Sequence, residues 1–369
     1  MSSAYHCMKI VYIHPKSLAY YEDNEIFSLF EGYESYVLAD NDKTAQMFIH
    51  YNHHITASYK TIFSRQLYYV KGLERILENI GSDIVVTKEI FSLESLQVHI
   101  LRKKLKFKHI IIVYENTQFN KSLWGLFPVT RIISLLNKDS IFIAVSEDAL
   151  KMLIKIGVEQ KNIIRSYTGL FQVNCSVNEK EQMEFKILYI GNLYENKGIK
   201  TLINAFRMII NAGYGNLNLY IAGRGGLSKY VESAAKELNN LHYLGYITEE
   251  RKNQLFNDSD LFVYPSEDIH FMKIIPRWRE QTATSVAEAM RCGMPVIVSD
   301  SGSLPEIIGR GDMVFHQGNI EELVNIILLL YNDKKLRENI SSFNKARFAE
   351  KFDIYKNANK INESLNSLK

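Results

Sequence analysis

Two glutamates, Glu280 and Glu288, bracket the run Gln281-Thr282-Ala283-Thr284-Ser285-Val286-Ala287. Val286, Ala289 and Met290 give this stretch one apolar face, Gly293 terminates it and Pro295 opens the next apolar run, a pattern that predicts a short helix. Thr282 or Thr284 is the expected N-cap. The exposed amides at Ala283 to Ser285 would then suit a diphosphate, with Glu280 just before the helix and Glu288 along it. A carboxylate accepts well from two adjacent sugar hydroxyls, so the pair could hold a nucleotide sugar at both ends. Two solvated glutamates on an ordinary helix are the alternative.

Two further loops carry chemistry of the same kind. Gly191-Asn192-Leu193-Tyr194-Glu195-Asn196-Lys197-Gly198 lies between a strand pattern and the helical pattern Thr201 to Ile210. Free backbone N–H groups and a point charge on Lys197 would suit phosphate there. Gly223-Arg224-Gly225-Gly226 also joins a strand to a helix, but Ser228 stands where a dinucleotide fingerprint needs its third glycine, so a nicotinamide enzyme is not indicated.

Short apolar, β-rich runs alternate with helix-length amphipathic stretches along the whole chain, the pattern of βαβ units around parallel sheets. Strands are expected at 9–14, 35–39, 83–87, 109–114 and 140–145, and again at 185–190, 217–222, 241–244, 261–264, 295–299 and 313–315. The weakly patterned segment 172–184 separates the two series. It predicts two α/β domains, 1–174 and 175–369, each a doubly wound Rossmann-like parallel sheet, with a cleft between them. The final stretch, 332–369, is helical in pattern and could return to the first domain.

The length of 369 residues is ample for two cores, and 46% hydrophobic with 23% charged residues describes an ordinary globular chain. A net charge of +3 is far below the basic excess that nucleic-acid binding leaves, so no nucleic-acid partner is expected. Cys7, Cys175 and Cys292 are few and far apart, which argues against a disulfide framework or a metal site and favours a reducing, cytoplasmic setting. No apolar run reaches the roughly 18 residues of a membrane helix, so any membrane contact is expected to be peripheral.

The segment Trp278 to Ile297, followed by Ser299-Asp300-Ser301-Gly302-Ser303-Leu304-Pro305-Glu306, resembles the donor motif of family 4 retaining glycosyltransferases, also called group 1, which have the GT-B fold. The 191–198 loop, the Ala222 to Gly225 turn and Asp260-Leu261-Phe262-Val263-Tyr264-Pro265-Ser266 resemble other landmarks of that family, in order. The resemblance implies a nucleotide-sugar donor, UDP- or GDP-linked, a glycan or lipid-linked acceptor, retention at the anomeric carbon, and no metal or further cofactor. It assigns Glu280 to the donor sugar, Glu288 to the ribose hydroxyls, Lys197 to the diphosphate and the backbone around Tyr246 to the nucleobase. Gly191, Asn192, Gly223, Thr282, Ala283, Thr284 and Ser285 complete the implied donor site, with Glu280 and Lys197 as its catalytic pair. The usual account in the family is same-face attack, the leaving diphosphate helping to accept the acceptor's proton.

The chain also departs from that pattern. Asn192 stands where the family usually has an arginine on the diphosphate, a loss of roughly 1.5–3 kcal/mol that Arg224, Arg277 or Arg279 could make good. Thr282-Ala283 replaces a common aromatic-glycine pair, and 14–20 lacks the frequent glycine-rich loop. Resemblance in the first half is confined to the strand–helix rhythm, 114–116, 145–147 and 157–158. A degraded donor-binding module and a GT-B-type epimerase are therefore the alternatives.

His50, His53 and His54 cluster, but no acidic or cysteine partner sits at ligand spacing, so a polar loop is expected rather than a metal site. His14 or His53 could position an acceptor hydroxyl. The stretch 99–108 interleaves Arg102, Lys103, Lys104, Lys106 and Lys108 with apolar residues, which suits either a solvated helix face or peripheral contact with an anionic membrane.

Overall fold

The computed structural model describes residues 7–14, 22–62, 68–117, 139–173, 175, 184–272 and 275–367. The chain divides into two compact units, Met1–Phe171 with Asp353–Lys369, and Gln172–Phe352. The 14–20 loop beyond His14, and most of the expected linker, lie outside the described residues.

In the first unit the strands are β1 (Met8–Ile13), β2 (Tyr33–Ala39), β3 (His53–Thr56), β4 (Tyr59–Thr61), β5 (Tyr68–Val70), β6 (Ile84–Lys88), β7 (Lys108–Val113), β8 (Ile141–Ala144) and β9 (Ile163–Arg165). A seven-stranded sheet runs β3-β2-β1-β6-β7-β8-β9 with every pairing parallel, while β4 and β5 form an antiparallel pair. Alternation along β1 sends Ile10 and Tyr12 into one core and Val11 and Ile13 into the other. The first core is completed by Ile354, Ala358, Ile361 and Leu365 of the helix Ile354–Ser367. Burying each of these Ile and Leu side chains stabilises by about 1.5–3 kcal/mol, which holds the chain's last helix on the unit its first residues build.

Three expectations need correction here. β3, β4, β5 and β9 are absent from the sequence reading because they are short and half polar, and they pair by virtue of their neighbours. His53 and His54 accordingly lie in the edge strand β3 instead of a loop. Nor do the cysteines stay apart, since Cys175 and Cys292 are joined as a disulfide with Cα atoms 5.2 Å apart across a sequence separation of 117. The fold brings the start of the second unit beside the C-terminus of the helix Thr284–Arg291, a proximity that sequence distance hides.

In the second unit the strands are β10 (Phe185–Ile190), β11 (Leu217–Ala222), β12 (Leu241–Gly245), β13 (Leu261–Tyr264), β14 (Ile269–Phe271), β15 (Ile275–Trp278), β16 (Val296–Ser299) and β17 (Val314–Phe315). The sheet order β12-β11-β10-β13-β16-β17 reverses direction between β10 and β13. That is the switch point at which an open parallel sheet leaves a crevice beyond its strand ends. β14 and β15 form a separate antiparallel hairpin between β13 and Glu280, which periodicity did not indicate.

Candidate active site

The loops after β10 and β13 meet at the switch point. Gly198 sits at φ 64°, where a Cβ would fall 1.7 Å from the Pro265 carbonyl oxygen, so only glycine lets the two loops touch. The contact is fastened by Glu267 N–H donating to the Asn196 carbonyl (3.0 Å) and Thr201 Oγ1 donating to Glu267 Oε1 (2.6 Å). It turns Lys197 inward to 9% exposure.

Lys197 Nζ donates to Glu280 Oε2 at 2.6 Å, and Ser266 Oγ donates to the same oxygen at 2.6 Å. Glu280 is 4% exposed, so the ion pair is buried at the strand ends. A buried charge persists only where it is paired and hydrogen-bonded, and this pair meets that condition. The ammonium also lies 4.6 Å from the centroid of the Trp278 ring and 5.5 Å from that of Tyr264. Among the described residues Glu280 is the acceptor that Nζ finds, which leaves N–H capacity toward an anion.

Glu280 is held by its backbone. Ser301 Oγ accepts from Glu280 N–H (3.3 Å), and Ser303 N–H donates to the Glu280 carbonyl (3.0 Å). Between them Gly302, at φ 51°, comes so close that a Cβ would stand 2.0 Å from that carbonyl oxygen. Gly302→Ala is therefore expected to destabilise the fold by about 1–3 kcal/mol and to displace Glu280. Urea unfolding reads this, and a variant as stable as the wild type would show that the turn yields freely.

Glu288 is 5% exposed on the second turn of the helix Thr284–Arg291. Its Oε1 accepts from Lys252 Nζ at 2.6 Å, and Lys252 also reaches Glu249 Oε2 at 2.7 Å. Burial pushes the Glu288 carboxyl above its usual range, while Lys252 pulls the other way. For Lys252, burial works against its charge, but Glu288 and Glu249 together hold it above its ordinary value. The sequence reading missed Lys252, which lies on a different helix, Glu249–Asp258.

The predicted threonine cap is not made. Ala283 is the N-cap, without a side-chain bond, and Thr284 is already helical. Val286 N–H already donates to the Ala283 carbonyl (2.9 Å), but the Thr284 and Ser285 N–H groups have no acceptor among the described residues, so the helix end keeps those two for an anion. Thr282 is half-buried beside the buried Ala283.

Gly191 and Gly223 bring two strand ends together, a Cβ on Gly223 falling 1.8 Å from the Gly191 carbonyl oxygen. Asn192 is exposed, and its carbonyl accepts from Tyr189 Oη–H at 2.9 Å. Of the three candidate substitutes for an arginine there, Arg279 is ion-paired with Asp268 (3.1 Å) and Arg224 is exposed, 5.5 Å from the ring centroid of Tyr246. Arg277 is half-buried next to Trp278. Tyr246 is 72% exposed, with Arg224 over its ring.

The two histidines do not come together. His14 is buried beyond the end of β1, with Nδ1 3.4 Å from Tyr12 Oη, while His53 opens β3 and pairs with Glu34 at 2.6 Å. Strand spacing and rise put their backbones on the order of 14 Å apart. Among the described residues no group of three or more His, Cys, Asp or Glu is placed to hold a metal, and no helix is long and apolar enough to cross a membrane.

Residues 174–347 match the family model of the group 1 glycosyl transferases, a stretch that takes in Lys197, Glu280 and Glu288. The O-antigen chain mannosyltransferase B of Escherichia coli is 30% identical over 156 residues, 41% of this chain and 38% of that protein. The matched stretch thus spans well under half of that relative. An uncharacterized glycosyltransferase of Methanocaldococcus jannaschii, MJ1069, is 24% identical over 312 residues, 78% of this chain and 77% of its own. Among solved structures, Anabaena Alr3699/HepE in complex with UDP superposes with a TM-score of 0.77 at 17% identity, covering 98% of this chain and 100% of that one. That likeness is one of fold, and the fold is GT-B, with two Rossmann-like parallel-sheet units.

Proposed function

We propose that this chain is a glycosyltransferase that moves a sugar from a UDP- or GDP-linked donor to a glycan or lipid-linked acceptor, with retention at the anomeric carbon. The observation that carries the reading is the buried Lys197–Glu280 pair at the switch point of the sheet, within the residues that match the group 1 model. UDP in the Anabaena protein and the O-antigen chain named for the Escherichia coli relative support the donor and acceptor classes.

In this reading the donor diphosphate meets Lys197 and the first-turn amides of Thr284 and Ser285. These are fixed positive groups in a water-poor site, the arrangement that best stabilises a leaving diphosphate. Glu280 faces the sugar. Glu288 has one oxygen on Lys252 and takes the ribose hydroxyls with the other. The acceptor hydroxyl attacks from the face that the diphosphate leaves, its proton passing to the leaving oxygen, and no protein nucleophile or metal is invoked.

Membrane contact, if made, is electrostatic. In the helix Leu93–Leu105 the apolar Val98, Leu101 and Leu105 pack into the unit's own core, leaving Ile100 exposed among Lys103 and Lys104. Lys104 is itself paired with Glu74. A cytoplasmic setting, as the few cysteines suggested, belongs to this proposal and is in tension with the Cys175–Cys292 bond.

The test is a thermal-shift panel of UDP, GDP, ADP and their sugars on the wild type and on Glu288→Ala. Because Lys252 keeps Glu249, the variant does not strand a buried cation. One nucleotide family at 100 times its dissociation constant should stabilise the wild type by about 2.7 kcal/mol, and Glu288→Ala should lose that shift. Absence of a shift with every nucleotide would sink the reading of a working transferase.

A further inference from the structure

The hairpin of β14 and β15 leaves the sheet at the switch point and returns to the site at Trp278. Its root is fixed from several sides. Asp268 accepts from Arg279 Nε (3.1 Å) and from Ser301 Oγ (2.6 Å), and its N–H donates to Gln317 Oε1 (2.5 Å). Gln317 N–H in turn donates to Asp300 Oδ1 (3.0 Å). Trp278 is also paired across the hairpin with Ile269. It is thus held next to Arg279 and Glu280 on a braced segment, half-buried, with its ring centroid 4.6 Å from Lys197 Nζ.

We propose that Trp278 is the donor-positioning residue that reads the sugar and not the nucleotide. The inference rests on the transferase reading and deepens it. Two consequences follow from where the indole lies. Its electron-rich face attracts the Lys197 ammonium and keeps it against Glu280, the carboxylate assigned to the sugar. The indole is half-buried, and its exposed part is an apolar surface suited to the C–H face of an uncharged pyranose whose hydroxyls point toward Glu280. The nucleobase and ribose contacts assigned to Tyr246 and Glu288 come from other elements. Lys197, the diphosphate contact, stays anchored by its 2.6 Å bond to Glu280 when the indole is removed, so Trp278 can change the response to the sugar with little change in the response to the nucleotide.

The experiment is calorimetry on the full chain with UDP against UDP-glucose and GDP against GDP-mannose, for the wild type, Trp278→Ala and Trp278→Phe. Trp278→Ala is expected to keep the diphosphate Kd within about twofold while raising the nucleotide-sugar Kd about tenfold, the size of one aromatic and cation–π contact. Trp278→Phe should recover most of that loss, and KM for the donor should rise more than kcat falls. Equal weakening for diphosphate and sugar would make Trp278 a structural support and overturn the proposal, as would no weakening of either. A wild type that binds neither ligand class fails the transferase reading itself, a result distinct from a wild type that binds and a variant that behaves identically.

Discussion

In the proposed transfer, Lys197→Met is expected to lower turnover of a nucleotide sugar about 10²–10³-fold, the cost of removing one preorganised charge donor from a leaving group. The same substitution takes the Lys197 ammonium away from the Glu280 carboxylate, 4% exposed, while the Ser266 Oγ bond stays. Breaking a buried ion pair from one side costs about 3–5 kcal/mol of stability, so lost activity alone would be ambiguous. The double variant Lys197→Met with Glu280→Met resolves it. Two apolar side chains of similar length remove the stranded charge, and stability returns toward that of the wild type. Activity does not return, because both groups proposed to meet the donor are gone. Urea unfolding and initial rates on the four proteins of the cycle give both readouts. A stable double variant that still transfers within tenfold of the wild type would remove Lys197 and Glu280 from the chemistry.

The strands that could be read from sequence are those whose own residues determine them. β1, β6, β7, β10 and β13 are continuous apolar runs rich in Ile, Val and Leu, as strands covered on both faces must be, and the structure keeps them within a residue or two. β3, with His53, His54 and Thr56, and β9, Ile163–Arg165, are sheet edges whose pairing is decided by the strand beside them. The hairpin of β14 and β15 packs in no main sheet, so alternation had no face to register.

The site divides in the same way. Glu280, Glu288, Lys197 and the glycine turns stood out through local spacing beside strand ends. Their partners did not, because those contacts span long stretches of chain: Lys252 is 36 residues from Glu288, and Glu280 is 83 from Lys197. Ser301, Gly302 and Ser303 act on Glu280 through its backbone, and nothing in their side-chain types announces that. Trp278 was visible only as the start of a motif. Its position over Lys197 depends on a hairpin that must first be seen.

Glu94 sets a pH dependence of the first unit that is independent of the transfer reaction. It lies in the first turn of the helix Leu93–Leu105, 1% exposed, where Tyr68 Oη–H donates to Oε1 at 2.8 Å. Oε2 is buried with no hydrogen-bond partner among the described residues. Burial, only partly opposed by the Tyr68 bond, pushes its carboxyl from 4.5 up to about 8. Burial and the nearby Glu94 charge in turn hold the Tyr59 and Tyr68 phenols well above their ordinary range, so they stay neutral throughout this window. A carboxyl whose folded value is raised binds its proton more tightly in the native state. Its contribution is complete below about pH 4.5 and is lost as the pH climbs to about 8. The difference between the two ends is on the order of 5 kcal/mol. Glu94→Gln keeps an acceptor for Tyr68 and cannot ionise. It should match the wild type within about 1 kcal/mol at pH 5 and exceed it by several at pH 9, the whole gap opening between those values. Paired urea curves at the two pH values decide the matter. A gap of the same size at both would mean that Glu94 is already charged in the folded unit, and that the tyrosine bond and the helix N-terminus outweigh its burial.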